Sequence, residues 1–175
     1  MNRAMGIRKR PISQTLVTGG MAGLAGACAM SRFTQVWKAL ISKADNREKE
    51  TATRQPYSEQ EWDSTTRIAE ITARRLFKRH LNAREKRIGA AMVHYAVGAT
   101  TGAAYAILAR KFPEIRKSSG AIFGVALWLL ADELLMPAMG ATRKLKDYSL
   151  LAQANALGEH VVYAVTANTL LPRKI

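Results

Sequence analysis

Five ionisable side chains stand inside otherwise apolar stretches: His94, Asp132, Glu133, Glu159 and His160. A charge at the centre of a bilayer costs about 3 kcal/mol on insertion scales, so such groups persist where they face one another or a polar cavity. A carboxylate–imidazole set can relay protons, because imidazole gains and loses its proton near neutral pH. Two imidazoles and a carboxylate also suit zinc or iron. His94 and His160 could serve as the two axial ligands of one haem. The plainest alternative is polar glue, in which interhelical hydrogen bonds contribute about 0.6–2 kcal/mol each. No H-E-x-x-H or C-x-x-C spacing occurs. No cofactor is therefore predicted, and a metal, if any, falls to His94 and His160.

These residues need elements to hold them, and four apolar segments are visible. They run from about Ile12 to Met30, Ile88 to Ala109, Ser118 to Gly140 and Leu150 to Leu171. Each is near the ~20 residues that cross a hydrocarbon core. Arg8, Lys9 and Arg10 precede the first segment and Arg32 closes it. The connectors Arg110 to Lys117 and Arg143 to Asp147 are short and basic, and Pro172 ends the last segment ahead of Arg173 and Lys174. The segments are rich in Ala and Gly. Gly19–Gly23, Gly98–Gly102 and Gly120–Gly124 are small-xxx-small pairs, which let membrane helices approach to backbone contact. The expected fold is all-α: an integral membrane bundle of about four transmembrane helices plus one amphipathic interfacial helix. A soluble Ala-rich helical bundle is the competing reading.

The polar stretch between the first two segments divides the chain into residues 1–42, 43–87 and 88–175. Lys43 to Pro56 reads as loop, and Ser58-Glu59-Gln60-Glu61 has capping-box form. The helix it opens carries Trp62, Ile68, Ile71, Leu76 and Phe77 together with Arg67, Arg74, Arg75, Lys78 and Arg79. Apolar residues mixed with dense positive charge suit a helix lying on anionic phospholipid, and a solvated connector suits them as well. Asn82-Ala-Arg-Glu85 is a second cap, opening the helix that enters the membrane. His80 is expected in solvent.

Alternating spans put the second and fourth segments in one direction and the third in the other. His94, Asp132 and Glu159 then lie about 9, 12 and 14 Å from the same membrane face, at about 1.5 Å per residue. Neighbouring residues on a helix point about 100° apart, so Asp132 and Glu133 cannot share a partner, and neither can Glu159 and His160.

Net charge is +14, from 27 Lys and Arg against 13 Asp and Glu, which points to an anionic neighbour. That neighbour is lipid rather than nucleic acid, because the basic residues flank the apolar segments and no nucleic-acid motif occurs. Mean hydropathy is -0.11, an average that hides the segregation of charge into the short basic connectors. The sole cysteine, Cys28, excludes an internal disulfide. It reads either as a small core thiol or, after Ala25-Gly26-Ala27, as a lipoprotein-like processing site. Gly19-Gly20 is no phosphate loop, since no G-K-[ST] follows. The candidate sides carry 10 and 15 Lys and Arg, so the positive-inside rule does not fix orientation.

Val93-His94-Tyr95, the Asp132-Glu133-x-x-x-Pro137-x-x-Gly140 turn and Gly158-Glu159-His160-Val161-Val162-Tyr163 resemble the YagU-like bacterial inner-membrane family. The resemblance covers roughly Asn82 to Thr169, with a looser echo in Gly19 to Met30. It implies a multi-pass protein of the bacterial inner membrane with no established activity. The long basic stretch before the second segment departs from that family. The sequence thus leads to a structural or stress-related membrane protein, not an enzyme, with a homo-oligomer or a membrane protein as possible partner. Proton or cation transport through the polar cluster is the second reading, and a metal- or haem-binding protein the third.

Overall fold

The computed structural model describes residues 11–48, 64–139 and 149–172, and all regular structure among them is helical. Five helices follow in order. They are α1 (Ile12–Glu48), α2 (Ser64–Phe77), α3 (Ala83–Lys111), α4 (Ala121–Ala138) and α5 (Leu150–Leu170). A 3-10 turn, Pro113–Arg116, joins α3 to α4. The expected caps at Ser58–Glu61, Trp62 and the Arg143–Asp147 connector lie outside the described residues.

α1 corrects the sequence reading. Arg32 does not close it; the helix runs 37 residues to Glu48, so residues 43–48 are helix rather than loop. No proline or glycine interrupts residues 27–48, and Lys, Arg, Gln and Leu are good helix formers. Charge alone marks no helix end. The inward stripe of α1 is Thr15, Gly19, Ala22, Gly23, Gly26 and Ala27, the three-four spacing of one helix face.

Gly19 and Gly23 of α1 lie against Gly102 and Gly98 of α3, so these helices cross backbone to backbone and antiparallel. α5 also packs antiparallel to α1, with Tyr163 over Gly26 and Gly158 against Phe33. α4 packs antiparallel to α5, where Gly120 meets Ala164 and Gly124 meets His160 and Val161. Hence α1 and α4 run one way, α3 and α5 the other. Ser119 (φ 55°) and Gly120 (φ 88°) are both left-handed and turn the chain into α4. A side chain at Gly120 would be strained in backbone and would strike the Ala164 carbonyl.

The interior is made of small residues and two tyrosines. Ala22, Ala27, Ala106, Ala164, Ala167, Tyr105 and Tyr163 are buried. Tyr105 stacks at a tilt on Phe123, 4.3 Å between ring centroids. The exterior carries the bulk: Met21 (66% exposed), Met92 (67%), Ile122 (70%), Leu130 (55%) and Leu134 (60%) are among many. Cys28 is on this outer surface, not in the core. By length and composition one helix among the described residues, α4 over Ala121–Ala138, is apolar enough to cross a membrane. α1, α3 and α5 fall short; in α5, Gln153, Asn155, Glu159, His160 and Asn168 interrupt the apolar residues.

α2 docks through buried Ala69 and Ala73 on the start of α3, where Gly89 gives Ala69 room. Asn82 caps α3: its side chain accepts from the Glu85 N–H, and Glu85 accepts from the Asn82 N–H, both at 2.9 Å. Glu85 also holds Arg79 in a two-pronged pair at 2.9 Å. Those contacts, the Arg79 hydrogen bond first, hold the Glu85 carboxyl below its ordinary pKa. Glu70 is clasped by His80 Nδ1 at 2.7 Å, by the Leu81 N–H at 3.3 Å and by Lys86 at 3.7 Å. Its pKa is lowered, chiefly by the His80 hydrogen bond. A lowered carboxylate stabilises the fold above its unfolded pKa and loses that contribution as pH falls through the folded value. Protection of the amides over residues 65–77, taken relative to their intrinsic exchange rate at each pH, is therefore expected to fall as pH drops below the usual carboxylate range. Glu70→Gln should flatten that dependence; an unchanged profile would refute the clasp.

Candidate functional site

The five predicted residues are not joined by one hydrogen-bond network: four of them make three separate contacts, and Glu133 takes part in none of the three. His94 of α3 reaches α1, where its Nε2 lies 3.1 Å from the Ala27 carbonyl and 3.1 Å from Ser31 Oγ. A carbonyl only accepts, so Nε2 carries the proton in this contact. Glu159 of α5 also reaches α1. Its Oε1 accepts from Thr34 Oγ1 and from Asn155 Nδ2, each at 2.7 Å. His160, one residue on, turns the other way and faces α4, with Asp132 Oδ2 3.6 Å from its Nδ1. That separation is an electrostatic contact, not a hydrogen bond. The His160 Nδ1–H donates instead to the Ala156 carbonyl at 2.9 Å.

Asp132 and Glu133 sit in a local irregularity with a clear cause. α4 is α-helical over Ala121–Trp128, π-helical over Leu129–Leu135 and closes on one α-turn, Met136–Ala138. The Met136 N–H reaches back five residues to the Ala131 carbonyl. Pro137 has no N–H and crowds the carbonyl four residues before it, so the regular ladder cannot continue through it. The widened turn presents Asp132 to His160. Glu133 points elsewhere and is half-buried, as the angle between neighbouring helix residues requires. π-Turns recur at functional sites.

Two further polar contacts escaped the sequence reading. Tyr163 Oη donates to the Gly98 carbonyl at 2.7 Å, filling the notch left by Gly26 and Gly98. At the opposite end of the bundle, Arg116 closes over the end of α5. Its Nε donates to Asn168 Oδ1 (3.0 Å), Nη1 to the Pro172 carbonyl (2.7 Å), and Nη2 to the Leu171 (3.0 Å) and Asn168 (3.2 Å) carbonyls. Tyr105 Oη donates to the same Asn168 oxygen at 2.9 Å. The only sequence signal for this clamp was a basic residue in a short connector.

The other predicted positions are placed as follows. Gly19, Gly23, Gly98, Gly102, Gly120 and Gly124 all lie at helix crossings. Arg67, Arg74, Arg75, Lys78 and Arg79 are exposed along and just after α2, Arg79 being paired to Glu85. Leu76 and Phe77 beside them are 70% and 69% exposed. His80 is 77% exposed. Among the described residues no three His, Cys, Asp or Glu side chains converge as a metal-ligand set. His94 is engaged on α1 and His160 on α4.

No curated protein and no solved structure shows significant similarity to the chain. A family model described as "Protein of unknown function (DUF1440)" matches residues 49–169, which take in α2 to α5 and leave out α1. On that match, over more than half its length, the chain belongs to this uncharacterised family.

Proposed function

We propose that this is a small multi-span membrane protein in which α1, α3, α4 and α5 all cross the bilayer and the inward polar side chains fasten one helix to the next. One observation carries the reading: bulk is outside and smallness inside. Leu, Ile, Val and Met cover the exterior while Ala, Gly and Tyr make the core. In water that arrangement forfeits most of the hydrophobic driving force. In lipid the exterior costs nothing, and close backbone packing becomes the source of cohesion. The resemblance to YagU-like inner-membrane proteins supports the same setting. Exposed Leu76 and Phe77 beside Arg74, Arg75 and Lys78 suit α2 to lie on anionic phospholipid.

The polar contacts are separate pairs, Ser31–His94, Thr34–Glu159 and Asp132–His160, rather than one chain of hydrogen bonds. That favours fasteners and a structural role. Transport of protons or a cation is the second reading. It is favoured by Glu159, His160 and Asp132 lying within electrostatic reach of one another.

The test uses proteoliposomes. The chain is expected to stay in the membrane through alkaline carbonate, and release would end the reading. Thr34→Val is expected to lower thermal stability by about 0.6–2 kcal/mol through one lost interhelical bond. Glu159→Gln should be nearly neutral, because an amide oxygen still accepts from Thr34 and Asn155. Proton or cation flux in wild type that disappears in Glu159→Gln would select transport instead.

A further inference from the structure

We infer that the chain associates with a second copy of itself through the outward faces of α1 and α4, pairing Arg32 of one copy with Glu133 of the other. The inference rests on the multi-span reading above. Arg32 is exposed on α1 and stands between Ser31 and Thr34, whose side chains reach inward to His94 and Glu159. It is therefore an outward cation level with the buried polar contacts. Glu133 is half-buried on α4, next to the like charge of Asp132. Among the described residues neither Arg32 nor Glu133 has a hydrogen-bond or ion-pair partner.

The two charges also share one height. Thr34 meets Glu159 and Asp132 faces His160, adjacent residues of α5, so residue 32 of α1 and residue 133 of α4 lie within about a turn of each other along the bundle. α1 and α4 run in the same direction. Two copies inserted the same way up can thus lay α1 beside α4 in parallel, with opposite charges at matching depth. A lone charge facing lipid is expensive, and a paired one much less so. The surfaces are otherwise apolar and free: Met21 (66%), Leu24 (41%) and Val36 (58%) on α1, and Leu129 (48%) and Leu130 (55%) on α4. One chain supplies both halves of the pair, which is what favours a second copy as the occupant. A two-fold dimer makes the contact twice, and a closed ring once per copy.

Exposed Cys28 is one helical turn before Arg32, and Leu129 is four residues before Glu133. The experiment introduces Leu129→Cys into the full chain, in membranes, and oxidises with copper phenanthroline. A crosslinked dimer or ladder is expected, and none when Cys28 is replaced by Ala or Leu129 is kept. Arg32→Glu or Glu133→Arg should cut the crosslinked fraction at least tenfold, and the two together should restore it. Should a reversed chain fail to insert, Arg32→Gln and Glu133→Gln are expected to lower the fraction severalfold. No crosslink, or one indifferent to these changes, in a chain retained through carbonate overturns this interface alone. A chain released by carbonate overturns the multi-span reading with it.

Discussion

Gly23→Val is expected to destabilise the bundle by at least about 3 kcal/mol, the upper part of the range for overpacked sites. Even a bare Cβ at Gly23 would collide with the Gly98 carbonyl oxygen and come 2.8 Å from the Gly102 Cα. These obstacles are backbone, which cannot rotate aside as a side chain can. Relief requires α1 and α3 to separate, and that separation also pulls Gly19 from Gly102 and Tyr163 Oη from Gly98. On the multi-span reading proposed above, no solvophobic force recloses the gap, so lost close packing is lost cohesion. Gly20→Ala is the matched control. Its Cβ would meet only the Ala99 carbonyl, at an ordinary 3.7 Å. It should be neutral, or stabilising by up to about 1 kcal/mol through the restricted unfolded chain. Thermal unfolding of both variants in one detergent decides the matter. Equal stabilities would mean that α1 and α3 do not cross at this pair.

Arg116→Ala is expected to cost about 3 kcal/mol or more. The guanidinium satisfies three carbonyls at and beyond the end of α5 and the Asn168 side chain, all within 3.2 Å. Helix-terminal carbonyls have no partner within the helix, and a cation there also meets the negative end of the dipole. Hydrogen bonds to charged groups contribute about 1.5–3 kcal/mol each, less what water can replace. Arg116→Lys should not rescue, since an ammonium cannot reproduce the planar fork. Lys117→Ala, one residue along, removes a solvent-exposed pair with Glu114 and should change stability by no more than about 1 kcal/mol. Hydrogen exchange over residues 165–171, read beside the melting temperature, should rise in Arg116→Ala alone. Protection left intact there would show that the clamp is not what holds the end of α5.

Much of this arrangement could be read from residue types. Glycines four residues apart were expected at close helix approaches, and Gly19, Gly23, Gly98, Gly102 and Gly124 each lie against the backbone of another helix. The Asn82 cap was legible because its chemistry is complete within four residues. Pro137, five residues past Asp132, carried the cause of the π-turn, although the turn itself was not anticipated. Arg32 misled. It was read as a span's end, whereas it lies on the outer face of a helix that continues to Glu48. Ser31 and Thr34, next to it, went unnoticed for that reason, although they hold His94 and Glu159.

By itself the sequence determined what is local: helical segments, their caps, their small-residue faces, and the presence of ionisable groups in apolar surroundings. Periodicity and propensity act over a few residues, and a single chain displays them openly. Only the tertiary structure decided which faces meet. It placed four of the five ionisable residues in three separate contacts, sent Glu159 to α1 and its neighbour His160 to α4, and turned one of several connector arginines into a clamp. Those outcomes depend on the lateral order of the helices and on their relative height. Both are set by backbone contacts between residues more than fifty positions apart in several cases, which no local spacing encodes.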